Sequence, residues 1–132
     1  MEEALTARLL ATPALSGLVG GRITWGKRDQ AAGLPALTIR DVSPGRNYLH
    51  SGADPTGNPR LQFDCYGASK GDAKALSDAL IATLEKRGAQ DGIAFSVALL
   101  DGKRGPLTED VGGGLKVHRY SLDFFVWFSP AA

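Results

Sequence analysis

Gly67-Ala68-Ser69-Lys70-Gly71 fits G-x-S-x-G, the spacing of a nucleophile elbow. In that motif a serine on a tight strand-to-helix turn attacks an acyl carbon, with a histidine as its base. Acidic residues and then His118 follow Ser69, the chain order of an α/β-hydrolase. A small serine hydrolase using Ser69 is therefore one reading. Three features oppose it. A chain of 132 residues is short for that fold's parallel, doubly wound sheet. His118 sits inside a strand pattern, not on a loop at a sheet's end. No HGGG-like segment precedes Ser69 to build an oxyanion hole. Asp72 follows Ser69 by three residues at the opening of a strong helix pattern, which makes Ser69 a helix cap without any chemistry.

The other reactive side chains are scattered. His50 and His118 are the two histidines, and neither has Cys or His at metal-ligand spacing. His50 reads as a solvated loop residue and His118 as an outward or edge strand residue. Gly112-Gly113-Gly114 before Leu115-Lys116 lacks the GxxxxGK[ST] spacing of a phosphate loop and reads as a hinge. Glu109 and Asp110 are neighbours in a glycine-rich stretch with nothing to hold them together for acid–base work. Lys27, Arg28, Lys103 and Arg104 form two small basic loop clusters that read as solvated. Cys65, the single cysteine, falls in an apolar strand pattern and reads as a buried, inert thiol. No catalytic, cofactor-binding or metal-ligating residue is expected, and no cofactor.

The elements that would position these residues follow from periodicity. Glu2 to Ala11 predicts a first helix, with Leu5, Leu9 and Leu10 on one face and acidic residues at its N-terminus. Thr12-Pro13 predicts an N-cap and a short helical turn that Gly20-Gly21 ends. Ile23–Trp25, Pro35–Ser43 and Arg60–Tyr66 read as strands. In the last, Leu61, Phe63 and Cys65 alternate with Arg60, Gln62, Asp64 and Tyr66. Pro44 to Pro59, with three prolines and three glycines, reads as a long mobile loop. Ser69 to Arg87 predicts the main helix, with Ala73, Leu76, Leu80 and Leu84 as its apolar stripe and Gly88 as its end. Ile93 to Leu100 reads as a fourth strand, and Asp101 to Gly114 as a second loop.

Leu115 to Ser129 predicts a long closing strand. Tyr120, Leu122, Phe124, Val126 and Phe128 form one apolar set, suited to a core. Arg119, Ser121, Asp123, Phe125 and Trp127 form the other, polar at first and aromatic at its end. Arg40, Gln62, Asp64, Arg119 and Asp123 are expected on one polar sheet surface that Phe125 and Trp127 extend. These aromatics mark a contact surface; the alternative is that they pack under a loop. The fold class is α+β, a mostly antiparallel sheet with two main helices on one face, in the order α-β-β-β-α-β-β.

Bulk composition sets the frame. The length predicts a single domain, residues 1–132. Hydrophobic content of 43% and charged content of 22% are ordinary for a globular protein. A net charge of +1 does not support general nucleic-acid binding. The Met-Glu-Glu start lacks a signal-peptide pattern, and no apolar run approaches the roughly 20 residues that span a bilayer.

Several segments, in this order, resemble the tail-completion or tail-terminator proteins of long-tailed bacteriophages and gene transfer agents. EEALTARLLATPALSGLVGGRI is similar to that family's opening helix, P-A-L turn and glycine-ended step into a strand. LPALTIRDVS is similar to its second strand. RLQFDCYGASKGDAKALSDAL resembles its strand, small-residue turn and A-x-A-L helix, and HRYSLDFFVWF its closing strand. The resemblance implies a structural virion protein and no enzyme. It implies a hexameric ring at the head-proximal end of the tail tube that terminates tube polymerisation and joins tail to head. The partners implied are other copies of the chain, the tail tube protein and a head-completion or stopper protein. DNA passes the lumen without specific binding, for which near-neutral charge is suited. No membrane partner is implied. The free subunit is monomeric if the ring interface is weak and the tube templates it. The implied location is a virion or phage-like particle tail, assembled in the bacterial cytoplasm. A head-completion stopper is the nearest structural alternative. Interface candidates are Arg46, Tyr48, Arg104, Phe125 and Trp127.

Overall fold

The computed structural model describes residues 2–27, 33–43, 46–49, 52–112 and 114–130, with side chains described outside 43–56 and 111–112. Glu2 and Glu3 open α1 (Glu2–Leu10), where negative charge offsets the helix dipole. Its Ala4, Leu5 and Leu9 turn inward. Pro13 then starts α2 (Pro13–Val19), which Gly20 ends at a positive φ of 65° that suits glycine. Thr12 holds the cap position, but its hydroxyl donates back to the Arg8 carbonyl at 3.0 Å and caps nothing.

The strands are β1 (Ile23–Trp25), β2 (Ala36–Ser43), β3 (Arg46–Leu49), β4 (Gly52–Gly57) and β5 (Arg60–Gly67). After α3 (Lys70–Leu84) come β6 (Gly88–Gln90), β7 (Ile93–Phe95), β8 (Leu99–Gly112), β9 (Leu115–Phe125) and β10 (Phe128–Pro130). The described strands form two five-stranded sheets, in the orders β1-β2-β5-β9-β8 and β3-β4-β10-β7-β6. The β1–β2 pair is parallel and the other pairs are antiparallel. The fold is α+β and mostly antiparallel, and the predicted element order stands with further strands inserted between its members.

One core joins the layers. Leu37 and Ile39 of β2, Leu61, Phe63 and Cys65 of β5, and Leu122 and Phe124 of β9 meet Leu76, Leu80 and Leu84 of α3 and the apolar stripe of α1. Phe63 and Phe124 pack edge to face with centroids 5.7 Å apart. Burial pushes the Cys65 thiol far above its ordinary range, and the charge of Asp64 adds to it, so the sulfur is inert at neutral pH.

Two expected loops are ladders instead. The 44–59 segment contains the β3–β4 hairpin. The 101–114 segment is most of β8, a 14-residue strand paired with β9 from Leu99↔Phe125 to Gly112↔Leu115. Glycine and proline there do not stop pairing. They fall at register shifts, which let a long edge strand keep following its twisted neighbour. The glycine run lies at the β8–β9 reversal, with Gly114 at φ 76°, so a hairpin turn replaces the expected hinge.

Two expected strands are broken. The closing run leaves the first sheet after Phe125 and enters the second at Phe128. The 93–100 run does the reverse, leaving β7 after Phe95 and joining the first sheet at Leu99. Both breaks meet at one corner, where the Ser96 amide donates to the Trp127 carbonyl at 3.0 Å. The apolar phase survives the crossing, because Leu122, Phe124 and Val126 are buried and Tyr120 and Phe128 pack against the same core.

The main helix stops at Leu84, three residues short of the expected end. The Leu84 carbonyl accepts from the Ala98 amide at 2.9 Å. The Arg8 guanidinium donates to the carbonyls of Thr83, at 3.1 Å, and Lys86. These partners satisfy the orphan carbonyls that a further turn would otherwise use. Gly88 then begins β6, where an added Cβ would stand 2.9 Å from Arg8 Nε.

Candidate assembly surface

Alternation along β2, β5 and β9 sends their apolar residues to the helices and a second set to the opposite face of the first sheet. Cross-strand register arranges that set in rows. One row runs Thr38, Asp64, Ser121, Arg104, and the next Arg40, Gln62, Asp123, Gly102. A third runs Arg60, Phe125, Leu99. The expected polar residues Arg40, Gln62, Asp64, Arg119 and Asp123 therefore share one face.

That face is not a loose solvated surface. Asp64 is 1% exposed and Asp123 6%, although no helix covers them. Long side chains lie across them. Asp123 accepts from Arg60 at 3.1 Å and from Arg104 at 3.0 Å. Arg60 also pairs with Asp101, and Arg104 reaches the Ser121 hydroxyl at 3.1 Å. Arg119 pairs with Glu109 at 3.1 Å. Arg40 stands 3.9 Å from Asp64, and Gln62 donates to the same carboxylate at 3.3 Å. Burial alone would raise the Asp123 pKa, but the hydrogen bonds and charges of Arg104 and Arg60 outweigh it and hold the carboxyl below its usual range. The result is a self-neutralised ionic lattice.

Its apolar end lies beside β8. Phe125 and Trp127 are half-buried, with ring centroids 6.1 Å apart, and Arg60 lies over Phe125 at 5.4 Å. Leu99, directly opposite Phe125, is 55% exposed. The two aromatics thus pack on each other and on Arg60, with part of each ring still open.

The interface candidates divide between the sheets. Arg104, Phe125 and Trp127 cluster along the β8–β9 side of the ionic face. Arg46 and Tyr48 belong to β3, an edge strand of the other sheet, and their side chains lie outside the described residues. His50 and Arg28 also lie outside them. Glu109 and Asp110 project to opposite faces of β8, since Glu109 pairs with Val117 and Asp110 with Lys116.

Ser69 has φ −136° and ψ 163°, and its hydroxyl accepts the Asp72 amide at 3.1 Å. It caps α3 as its spacing predicts. Gly67, the first residue of the G-x-S-x-G run, sits where an added Cβ would lie 2.5 Å from the Ala73 amide nitrogen, so close strand–helix packing accounts for it. His118 lies inside β9, with β5 on one side and β8 on the other, and its Nδ1 is 3.1 Å from the Thr108 hydroxyl. Among the described residues, no group of three or more His, Cys, Asp or Glu side chains is placed to hold a metal ion. No described helix is long and apolar enough to cross a membrane.

Sequence reasoning missed two features. Arg8 joins α1 to the end of α3 and lies over Phe95 at 5.3 Å. Its position on the apolar side of α1 is the one signal for this. The other is an open apolar cleft of about 430 Å³ at the β1 edge, lined by Glu2, Glu3, Thr6, Ala7, Leu10 and Trp25. There the Trp25 indole donates to the Thr6 hydroxyl at 2.8 Å.

Comparison with known proteins bears on what these surfaces serve. A search of curated proteins finds no match. Among solved structures, a chain from "Virion of native gene transfer agent (GTA) particle" has a similar fold at TM-score 0.70. The alignment is 14% identical and covers 97% of this chain and 93% of that one. A family profile, tail completion protein gp17, matches residues 3–129. That match takes in nearly all of the described helices and strands and the whole ionic face, and the chain belongs to the tail completion protein gp17 family.

Proposed function

We propose that this protein closes the head-proximal end of a phage-type tail tube as a hexameric ring, ending tube growth and joining tail to head. The carrying observation is family membership over residues 3–129. The implied place is the tail of a virion or phage-like particle, and the partners are its own copies, the tube protein and a head-completion protein. The free subunit is monomeric, with the finished tube as template for the ring. The outer face of the first sheet contributes to these contacts, because its charges are already matched within the subunit. A protein partner covering it need not strip water from an isolated charge. The same matching suits a lumen that DNA traverses without being held. Arg40, Arg60, Arg104 and Arg119 each face a carboxylate, and the net charge is +1. The protein acts through contacts, a reading that the capping role of the Ser69 hydroxyl supports.

The test is to delete the subunit from a producing strain and examine particles by electron microscopy. Overlong tubes separate from filled heads are the expected result, restored by the intact chain. Tubes of normal length joined to heads would overturn the reading. Normal-length tubes that fail only at head joining would assign the chain to the stopper step instead.

A further inference from the structure

The two edges of the first sheet carry opposite features. At one edge β1 and α1 frame the cleft on the helix side, since Trp25 pairs with the buried Ile39 and bonds to Thr6. Leu10 is 37% exposed on its wall. Glu2 and Glu3 rim it, and neither has a salt bridge among the described residues. At the other edge β8 presents Leu99 and Leu107 outward, on the face away from the helices, opposite Phe125 and Arg119. Arg104 lies between them with 51% of its side chain open. One edge is an apolar slot with an acidic rim; the other is an apolar strip centred on Arg104, whose guanidinium is bonded to Asp123 and Ser121 but half open, with N–H donors left for a further carboxylate.

A closed ring needs two different complementary patches on each subunit, repeated around the axis. We propose that the outward strip of β8 seats in the α1–Trp25 cleft of a second copy of this chain. This assignment rests on the ring reading. The cleft opens on the helix side of the sheet and the strip on the opposite side, so neighbours overlap edge over edge, as shingles do. Strand addition is not the mode of contact. Pro106 and three register shifts interrupt the β8 edge, features that block ladder pairing. Side chains make the contact: Leu99 and Leu107 enter the slot, and Arg104 meets Glu2 and Glu3.

The experiment places Leu10→Cys and Leu107→Cys in one chain and treats assembled particles with a short bifunctional maleimide. Cys65 is buried and does not compete. The expected result is a denaturing-gel ladder of crosslinked copies, with each single variant remaining monomeric. Particles that hold several copies per tail end but give no ladder would overturn this interface and leave the ring standing. A single copy per tail end would overturn both. A second measurement covers variants that fail to assemble. Leu107→Glu puts a carboxylate against the acidic rim and lowers incorporation into tails about fivefold or more, while Leu107→Glu with Glu3→Lys restores it. Loss of incorporation that Glu3→Lys does not relieve, in subunits of unchanged melting temperature, would also overturn the proposal.

Discussion

Ser69 occupies a position that two chemistries compete to explain, and its hydrogen bond is the one a helix cap makes. The hydroxyl oxygen accepts the Asp72 amide, one of the orphan donors at the start of α3. Ser69→Ala is expected to lower stability by about 1 kcal/mol, measured by denaturant unfolding. Ester hydrolysis by the parent that disappears in this variant would restore the nucleophile reading. Asp123 has a pH signature of its own. Its carboxyl is held below the ordinary aspartate value of 3.8 in the folded chain, so the unfolded state takes up the proton first as pH falls. Its contacts contribute fully above that value. The contribution shrinks as pH drops below it and is lost once the folded carboxyl itself protonates. Asp123→Asn should therefore flatten the decline of stability below about pH 4, with the parent and variant curves converging in acid. Curves that stay parallel through that range would show that the Arg60 and Arg104 contacts do not stabilise the ionised form. Both residues could be placed from sequence, Ser69 by its capping spacing and Asp123 by alternation. The near-burial of Asp123 could not, because it depends on how arginines from β5 and β8 lie down across β9.

At the scale of elements, periodicity reported which side chains face the core and was silent on which strand lies alongside. Tyr120 to Phe128 keep one phase through the corner, so nothing in the spacing marks the exchange of partners at Val126. Glycine and proline in β8 read as loop signals because a strand's tolerance for them depends on being an edge, and edge position is a tertiary fact. The ladder makes a direct prediction for free subunit in solution. The alternate amides of β8 that face β9 should exchange in step with their β9 partners and not at loop rates. Fast, unprotected exchange across 101–112 would mean that β8 is not paired in the isolated chain. The end of α3 makes another. Arg8 supplies a cation where the helix dipole is negative and fills two carbonyl acceptors. Burial lowers the Arg8 pKa, but a guanidinium remains charged at any working pH. Arg8→Met keeps much of the volume but takes that donor from the Lys86 carbonyl and leaves the Thr83 carbonyl with its Lys86 amide bond alone, so it should cost about 1–3 kcal/mol by thermal or denaturant unfolding. A change near zero would mean that water replaces the guanidinium without penalty.

For the whole molecule, order and spacing of short segments carried more functional information than any cluster of reactive groups, which fits a part that works by contact. The second sheet and the corner were not legible, because β6, β7 and β10 are three residues each and too short for a period to register. That corner nevertheless sets the aromatic end of the ionic face. Trp127 stands at the junction of the two sheets, its carbonyl fixed by Ser96 and its ring against Phe125, half open to a partner. Large aromatics in this state are favoured anchors of protein interfaces. Trp127→Glu should leave the fold in place, since the ring is not part of the central core, while placing a charge where the partner would bury it. The measurement is tube length and head attachment in particles carrying the variant, with melting of the purified subunit as the control for folding. Overgrown or unattached tails with a folded subunit are expected. If the charged variant melts early, Trp127→Ala with the same readout keeps the test open, because truncation removes the anchor without adding charge. Tubes of normal length, joined to heads, in a variant that folds would show that the Phe125–Trp127 pair serves the subunit alone.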